Sequence, residues 1–124
     1  MHIGTDIVHI PQFAAQLDVP GSTFAAVFTS RELRDCATKA DRAASLAARW
    51  AAKEAYIKAW SATIYGRPPL IDPAEVDFAE IEVLVDAFGR PAIALRGRVA
   101  ELGPAAQSVS LSHDGDYATA VCLV

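Results

Sequence analysis

One long segment without helix breakers constrains the fold of this chain more than any other feature. From Arg42 to Ser61 the sequence holds twenty residues with no glycine or proline, and most of them are good helix formers. Asp41 directly precedes the segment and can cap its first turn, because a carboxylate accepts the free backbone N–H groups there. The sequence therefore predicts a helix from about Arg42 to Ser61.

A single acid lies close to an apolar stripe on this helix. At about 100° of rotation per residue, the stripe is formed by Leu46, Trp50, Ile57 and Ser61. Glu54 falls within about 40° of the stripe's centre, where a carboxylate needs a cation or another partner to offset its lost hydration. The alternative is an ordinary surface ion pair between Glu54 and Lys58, which are four residues apart in the favoured order.

The segments on either side predict short helices and antiparallel strands. The β-branched opening "IGTDIVHI" predicts a strand, and "PQFAAQL" after it predicts a short helix. The capping-box pattern "TSRE" predicts a second helix that runs to about Thr38. Residues 79–97 and 108–124 alternate around turn residues and predict two hairpins, the first with its turn at Phe88 to Pro91. A short helix at 98–102 lies between the two hairpins.

These elements together predict an α+β fold: an antiparallel sheet packed on one long and several short helices, in a single domain of residues 1–124. The 11 basic and 15 acidic side chains give a formal charge of −4, which argues against bulk nucleic acid or an anionic membrane surface as the main partner. Cys36 and Cys122 have neither disulfide-framework nor zinc-site spacing. With no signal-peptide pattern and no apolar run long enough to span a membrane, we expect a cytoplasmic protein.

A second acid, Asp6, lies in the predicted first strand, where acids are unfavourable. Proteins hold Mg²⁺ with one or two carboxylates and leave its other positions to water and to phosphate oxygens. Asp6 and Glu54 are therefore candidate ligands of one ion. The alternative for Asp6 is a turn or cap acid at the end of the strand.

Four basic side chains accompany these acids and suit an anionic ligand with several phosphates. Arg49 and Lys53 lie on the predicted long helix, and Arg67 and Arg90 follow the glycines of "YGRP" and "FGRP". Each arginine could instead be a solvated surface charge. His113 ends a predicted strand, where it can donate to a phosphate or be a structural histidine bonded to a backbone carbonyl.

Four segments of the chain, "IGTDIVHI", "FTSREL", "LAARWAAKEAYIKAW" and "VSLSHDGDYATAV", resemble the small phosphopantetheinyl transferases of the holo-acyl-carrier-protein synthase family. The match runs in order over nearly the whole chain. This family transfers the 4′-phosphopantetheine arm of coenzyme A to a serine of an apo acyl carrier protein and releases adenosine 3′,5′-bisphosphate. The resemblance therefore implies a transferase with the family's fold, which assembles as a homotrimer and binds coenzyme A between neighbouring subunits.

The same resemblance implies a role for individual residues. Asp6 and Glu54 match the family's ligands of Mg²⁺, for which Mn²⁺ is a possible substitute, and Lys58 matches the lysine that neutralises phosphate. Arg49 and His113 match positions that hold coenzyme A, and Asp114 is expected there as an auxiliary acid. Contacts to coenzyme A are further expected from Lys58 and, because of their positive charge near the two acids, from Lys53 and Arg90. Glu54, acting through a water held by the metal, is the expected base for the serine proton.

One segment departs from the family's pattern. The family commonly has an arginine after the first strand that grips the acidic recognition helix of the carrier, whereas "IPQFAAQLD" carries Gln12 and no base. The carrier could therefore be a domain of a larger fatty acid or polyketide synthase, or Arg31, Arg34 or Lys39 could supply the missing contact. A second hypothesis for the whole chain is a trimeric module that binds coenzyme A or another nucleotide without reacting it.

Overall fold

The computed structural model describes residues 1–124 and contains five strands and four α-helices. The strands are β1 Ile3–His9, β2 Ile81–Val85, β3 Pro91–Leu95, β4 Ser108–Asp114 and β5 Tyr117–Leu123. The α-helices are α1 Ile10–Leu17, α2 Ser30–Ala37, α3 Arg42–Thr63 and α4 Gly97–Leu102. Short 3₁₀ helices cover Phe24–Val27, Pro73–Glu75 and Phe78–Glu80. None of the helices combines the length and the hydropathy that a membrane-spanning segment needs.

The strands form two antiparallel sheets, which confirms the predicted α+β class. β5 lies between β1 and β4 in the larger sheet, and β2 pairs with β3 in the smaller one. The first hairpin turns at residues 86–90 rather than at 88–91, because the Asp86 carboxylate accepts the backbone N–H groups of Phe88 and Arg90 and so begins the turn two residues earlier.

Both predicted helix caps are present. The Thr29 hydroxyl accepts the backbone N–H of Glu32 at 3.2 Å, and the Glu32 carboxylate accepts the backbone N–H of Thr29 at 2.8 Å. Asp41 accepts the backbone N–H of Ala44 at 3.0 Å. These side chains satisfy N–H groups that the first turn of a helix leaves without partners, so α2 and α3 begin where the sequence predicts.

The buried face of α3 is not the predicted apolar stripe. Most of its side chains are small, and the alanines at positions 44, 47, 51, 52, 55 and 59 are all at most 1% exposed, although Tyr56 and Lys53 are fully buried as well. Of the predicted stripe only Leu46 is fully buried, whereas Trp50 and Ile57 are half-buried and Ser61 is exposed. Glu54 is half-buried at the edge of this face, three residues after the buried Ala51, and it lines a cavity together with Asp6.

A glycine explains why this face needs small side chains. A Cβ atom on Gly4 of β1 would lie 2.0 Å from the carbonyl oxygen of Ala55 and 2.5 Å from the backbone nitrogen of Ala59. The backbone of β1 thus packs directly on the backbone of α3, which only glycine and alanine allow. Asp6 follows Gly4 by two residues and points to the same side of the strand, so this contact brings its carboxylate to the helix.

Candidate active site

Asp6 and Lys58 form an ion pair between β1 and α3. The Lys58 Nζ atom donates to Asp6 Oδ1 at 2.9 Å, and the Asp6 side chain is 8% exposed whereas that of Lys58 is 56% exposed. The other carboxylate oxygen, Asp6 Oδ2, is buried and accepts no hydrogen bond. A buried carboxylate oxygen without a donor is costly, so this atom calls for a cation or a water molecule.

Glu54 lies beside Asp6 and shares its electrostatic environment. Burial raises the pKa of Glu54 above its usual range, the nearby Asp6 carboxylate raises it further, and Lys58 opposes both effects. Two adjacent carboxylates repel each other when both are ionised. A bound cation would remove that repulsion, and a proton on Glu54 would do the same less completely.

The carboxylate oxygens of Asp6 and Glu54 are ligands that fit Mg²⁺. The chain has no group of three or more His, Cys, Asp or Glu side chains placed to bind a metal ion, and the carboxylates of Asp6 and Glu54 line one cavity. One or two carboxylates are the usual protein share of a Mg²⁺ site that also takes phosphate oxygens. The unpartnered Asp6 Oδ2 supplies a free ligand atom.

A cavity of about 200 Å³ opens beside the two acids. Asp6 and Glu54 line it together with His9, Gln12 and Gln16, which come from the end of β1 and from α1. His9 also caps α1, since its Nδ1 atom accepts the backbone N–H of Gln12 at 3.3 Å. His9 was not predicted as a site residue from the sequence. Its position three residues after Asp6, at the junction of strand and helix, could have indicated it.

A second cavity, of about 300 Å³, holds the predicted phosphate-binding residues Arg49 and His113. Lys39 and Gly89 also line it. Arg49 is 5% exposed, it makes no ion pair, and its Nε atom has no hydrogen-bond partner; one Nη atom donates to the Ser45 carbonyl at 3.3 Å. A buried guanidinium that lacks an acid in the protein favours an anionic ligand.

Three other predicted residues lie outside both cavities. Arg90 is exposed and donates to Asp86 at 2.6 Å across its own turn, although its neighbours Gly89 and Pro91 line the second cavity. Asp114 ends β4 at the surface, and Arg67 lies exposed in the loop after α3. Arg90 and Asp114 are each next in sequence to a residue that lines the second cavity, whereas Arg67 has no such neighbour in either cavity.

Lys53 is fully buried, which is inconsistent with its predicted contact to coenzyme A. Its Nζ atom donates to Glu32 at 2.9 Å, to the Phe78 carbonyl at 2.9 Å and to the Ile81 carbonyl at 2.6 Å. All three protons of its ammonium group are therefore used inside the protein. Burial lowers the pKa of Lys53, and the ion pair with Glu32 opposes this shift. Lys53 joins α3 to α2 and β2 and is not available to a ligand.

The two cavities lie on different sides of α3 and share no residue. Arg49 and Glu54 are five residues apart, which corresponds to about 140° around the helix, and Ser45 and Glu54 are about 180° apart. One chain therefore presents the paired acids and the buried arginine in opposite directions.

Comparison with known proteins identifies the family. Residues 2–122 match the model of the 4′-phosphopantetheinyl transferase superfamily. The holo-[acyl-carrier-protein] synthase of Corynebacterium efficiens is 53% identical over 129 aligned positions, which cover 98% of this chain and 92% of the relative. The chain therefore belongs to the 4′-phosphopantetheinyl transferase superfamily.

Solved structures agree with this family assignment and indicate one group within the superfamily, the holo-[acyl-carrier-protein] synthases. The ACPS–CoA complex from Chronobacterium ammoniagenes matches with a TM-score of 0.92 at 55% identity, covering 97% of this chain and 93% of that one. The holo-[acyl-carrier-protein] synthase of Helicobacter pylori, solved in complex with coenzyme A, matches with a TM-score of 0.72 at 26% identity, covering 98% of each chain. The resemblance to holo-acyl-carrier-protein synthases and the fold predicted with it are both confirmed.

Proposed function

We propose that this chain transfers the 4′-phosphopantetheine group of coenzyme A to a serine of an apo acyl carrier protein or carrier domain. The observation that carries the proposal is the cluster of Asp6, Glu54 and Lys58, in which a buried carboxylate oxygen lacks a partner. The similarity to holo-[acyl-carrier-protein] synthases over nearly the whole chain supports the same reaction.

The reaction breaks one phosphoanhydride bond and forms one phosphodiester bond. The serine oxygen attacks the β-phosphorus of coenzyme A, the bond from this phosphorus to the bridging oxygen breaks, and adenosine 3′,5′-bisphosphate leaves with that oxygen. Lys58 is more than half exposed, so its ammonium group can swing toward a phosphoryl oxygen while remaining near Asp6. Glu54 is assigned as the base that takes up the serine proton, because its carboxylate lines the cavity next to Asp6.

Mg²⁺ is part of the proposal, with Asp6 and Glu54 as its ligands. When bound, the ion would neutralise negative charge on the pyrophosphate oxygens during transfer. Asp6 is held for this role by the close packing of β1 on α3, and Lys58 fixes the direction of its carboxylate through Oδ1. Mn²⁺ prefers similar oxygen ligands and is a possible substitute.

The second half of the site is assigned to Arg49 and His113 of a neighbouring subunit in a homotrimer. Arg49 supplies a buried positive charge for a phosphate, and His113 lies at the rim of the same cavity. The outer face of the larger sheet supports such assembly, because Ile3, Ile7 and Val121 are 63%, 66% and 37% exposed on adjacent strands. An apolar sheet face of this kind is typical of a subunit interface.

Mixed trimers test whether the site lies between subunits. We expect Glu54→Gln and Arg49→Met to be inactive alone but to recover about a third of wild-type activity when coexpressed with two different tags. A cyclic trimer that contains both variants joins an intact acid half to an intact arginine half at about one of its three interfaces. The measurement is the rate of phosphopantetheine transfer by doubly purified trimers.

The control for the mixed trimers is a second mixture, made of two variants that are damaged in the same half of the site. Glu54→Gln and Asp6→Asn damage the same half-site, so their mixture should remain inactive. Equal activity in the two mixtures, or no recovery in trimers whose composition native mass spectrometry verifies, would place the complete site within one chain.

The carrier is expected to meet α1, which borders the cavity with the two acids. This helix has no charged residue, and Gln12 and Gln16 occupy its edge of the cavity. A neutral helix offers hydrogen bonds and apolar surface rather than ion pairs, which suits a carrier domain that is delivered by its own synthase. Arg31 and Arg34 on α2 are exposed and remain candidates for contact with an acidic carrier.

The proposal places the reaction in the cytoplasm. Cys36 and Cys122 are both buried free thiols, as is common in reducing compartments. Burial raises the pKa of the Cys122 thiol to about 11, so it is unreactive at neutral pH.

Mass spectrometry tests the function directly. The protein is incubated with Mg²⁺, coenzyme A and an apo carrier, and the carrier is expected to gain the mass of phosphopantetheine. Both a free-standing carrier and a carrier domain of a fatty acid synthase are supplied. If neither gains mass beside a working control synthase, the transferase function is wrong.

A further inference from the structure

The ion pair between Lys58 and Asp6 affects how a cation can bind at the paired acids. The Lys58 Nζ atom donates to Asp6 Oδ1 at 2.9 Å, whereas Asp6 Oδ2 is buried and has no hydrogen-bond partner. A cation at Oδ2 would share one carboxylate with the ammonium group of Lys58. Two positive charges this close repel each other, and the repulsion is stronger where burial lowers the local dielectric. The ammonium group therefore opposes a cation at the atom that is free to hold one.

The rest of the site offers little to offset this repulsion. The chain has no group of three or more His, Cys, Asp or Glu side chains placed around a metal ion. Asp6 and Glu54, with Lys58 beside them, leave the site with a single net negative charge. Mg²⁺ gives up its water shell reluctantly and is usually held by one or two carboxylates together with phosphate oxygens. A divalent ion therefore gains little from this site alone.

Lys58 can turn away from Asp6, but Asp6 cannot follow it. The Lys58 side chain is 56% exposed, and its flexible stem lets the ammonium group turn to a new partner. The Asp6 carboxylate is 8% exposed and belongs to a strand whose backbone packs directly on α3 at Gly4. A pyrophosphate carries more negative charge than one carboxylate, so it can draw the ammonium group away from Oδ1. The same pyrophosphate then provides oxygen ligands that the chain lacks.

We propose that Lys58 couples the binding of the divalent ion to the binding of coenzyme A. The chain alone holds the ion weakly because Lys58 is paired with Asp6, and coenzyme A strengthens ion binding because its pyrophosphate becomes the partner of Lys58. This inference rests on the proposed function and specifies its substrate as the complex of coenzyme A with a divalent ion. Because coupling between two ligands is reciprocal, the ion raises the affinity for coenzyme A by the same factor.

Ion binding measured without a carrier tests the inference, because no transfer can then occur. Electron paramagnetic resonance follows the free Mn²⁺ concentration for the wild type and for Lys58→Met, with and without saturating coenzyme A. The values are corrected for Mn²⁺ that coenzyme A binds in solution. Without coenzyme A, Lys58→Met should bind Mn²⁺ at least about tenfold more tightly than the wild type. Coenzyme A should tighten Mn²⁺ binding about fiftyfold in the wild type but only about fivefold in Lys58→Met.

A double variant checks that the effect of Lys58 acts through Asp6. Once Asp6 is replaced by asparagine, Lys58 has no carboxylate to share with the ion. Adding Lys58→Met to Asp6→Asn should therefore change the Mn²⁺ affinity of the coenzyme-free protein by less than about threefold. If Lys58 only bound phosphate, Lys58→Met would leave the Mn²⁺ affinity of the coenzyme-free protein unchanged, and the inference would be wrong.

Arg98→Met is the matched control, because Arg98 is 57% exposed, lies 4.0 Å from the Glu75 carboxylate and lines neither cavity of the site. It should change the Mn²⁺ affinity by less than about twofold, since solvent and salt screen distant charges. The inference is overturned if Lys58→Met gains no more Mn²⁺ affinity than Arg98→Met, or if coenzyme A tightens Mn²⁺ binding equally in Lys58→Met and the wild type. If Lys58→Met fails to fold, Lys58→Gln is judged by the same two criteria. A wild type that binds no Mn²⁺ even with coenzyme A contradicts the proposed function instead, so the two failures are distinguishable.

Discussion

Replacing Asp6 with asparagine is expected to reduce phosphopantetheine transfer by at least about a hundredfold while the fold is retained. The change keeps the volume of the side chain but removes the charge that Lys58 and a bound cation both need. The oxygen without a protein partner, Asp6 Oδ2, is the atom whose loss matters most. The measurement is the initial rate of carrier modification over a range of Mg²⁺ concentrations.

Stability should respond much less than activity to this substitution. The ion pair of Asp6 with Lys58 is exposed on the lysine side, so its loss should change the free energy of unfolding by no more than about 1 kcal/mol. Removing one of two adjacent carboxylates also relieves their repulsion. Glu54→Gln should likewise lose activity while its free energy of unfolding changes little. Glu101→Gln, at an exposed position of α4, is the control for loss of charge alone. An Asp6→Asn protein that keeps more than a third of wild-type activity would show that this acid is not a metal ligand.

Replacing Lys53 with methionine is expected to destabilise the protein by about 3 kcal/mol or more, because it leaves the fully buried Glu32 carboxylate without its counter-charge. Two backbone carbonyls, of Phe78 and Ile81, lose their donor at the same time. The measurement is chemical denaturation followed by circular dichroism, together with the KM for coenzyme A of the protein that remains folded.

Lys58→Met is the matched control for this substitution, since it removes a lysine five residues further along the same helix. It should lower the free energy of unfolding by less than about 1 kcal/mol, because the side chain is more than half exposed, yet greatly reduce turnover. A Lys53→Met protein with wild-type stability and a raised KM for coenzyme A would restore the assignment of Lys53 to the ligand.

The two lysines illustrate how far sequence reasoning reaches. Both lie on the helix next to Glu54, and nothing local to the helix separates a buried Lys53 from an exposed Lys58. The difference comes from Glu32 on α2 and from carbonyls near the start of β2, which are 21 to 28 residues away. The caps of α2 and α3 were predictable because a cap involves residues within three positions of each other.

The apolar stripe on α3 failed as a prediction for a related reason. Large apolar side chains mark the buried side of a helix only when the neighbouring element leaves room for them. Here β1 packs too closely, so alanines form the buried face and Trp50 lies half-buried against the rings of Phe24 and Phe78. Asp6 and Glu54 were nevertheless identified as a pair, because acids in a strand and near an apolar stripe each need an explanation.

The direct packing of Gly4 on α3 also offers a way to adjust the enzyme without touching a polar residue. Since the backbone of β1 rests on the backbone of Ala55 and Ala59, the distance between strand and helix is set by atoms that no side-chain rotation can move. A side chain at position 4 would push strand and helix apart, and Asp6, two residues further along β1, would move with the strand. The spacing of the Asp6 and Glu54 carboxylates can thus be changed from a position that carries no polar side chain.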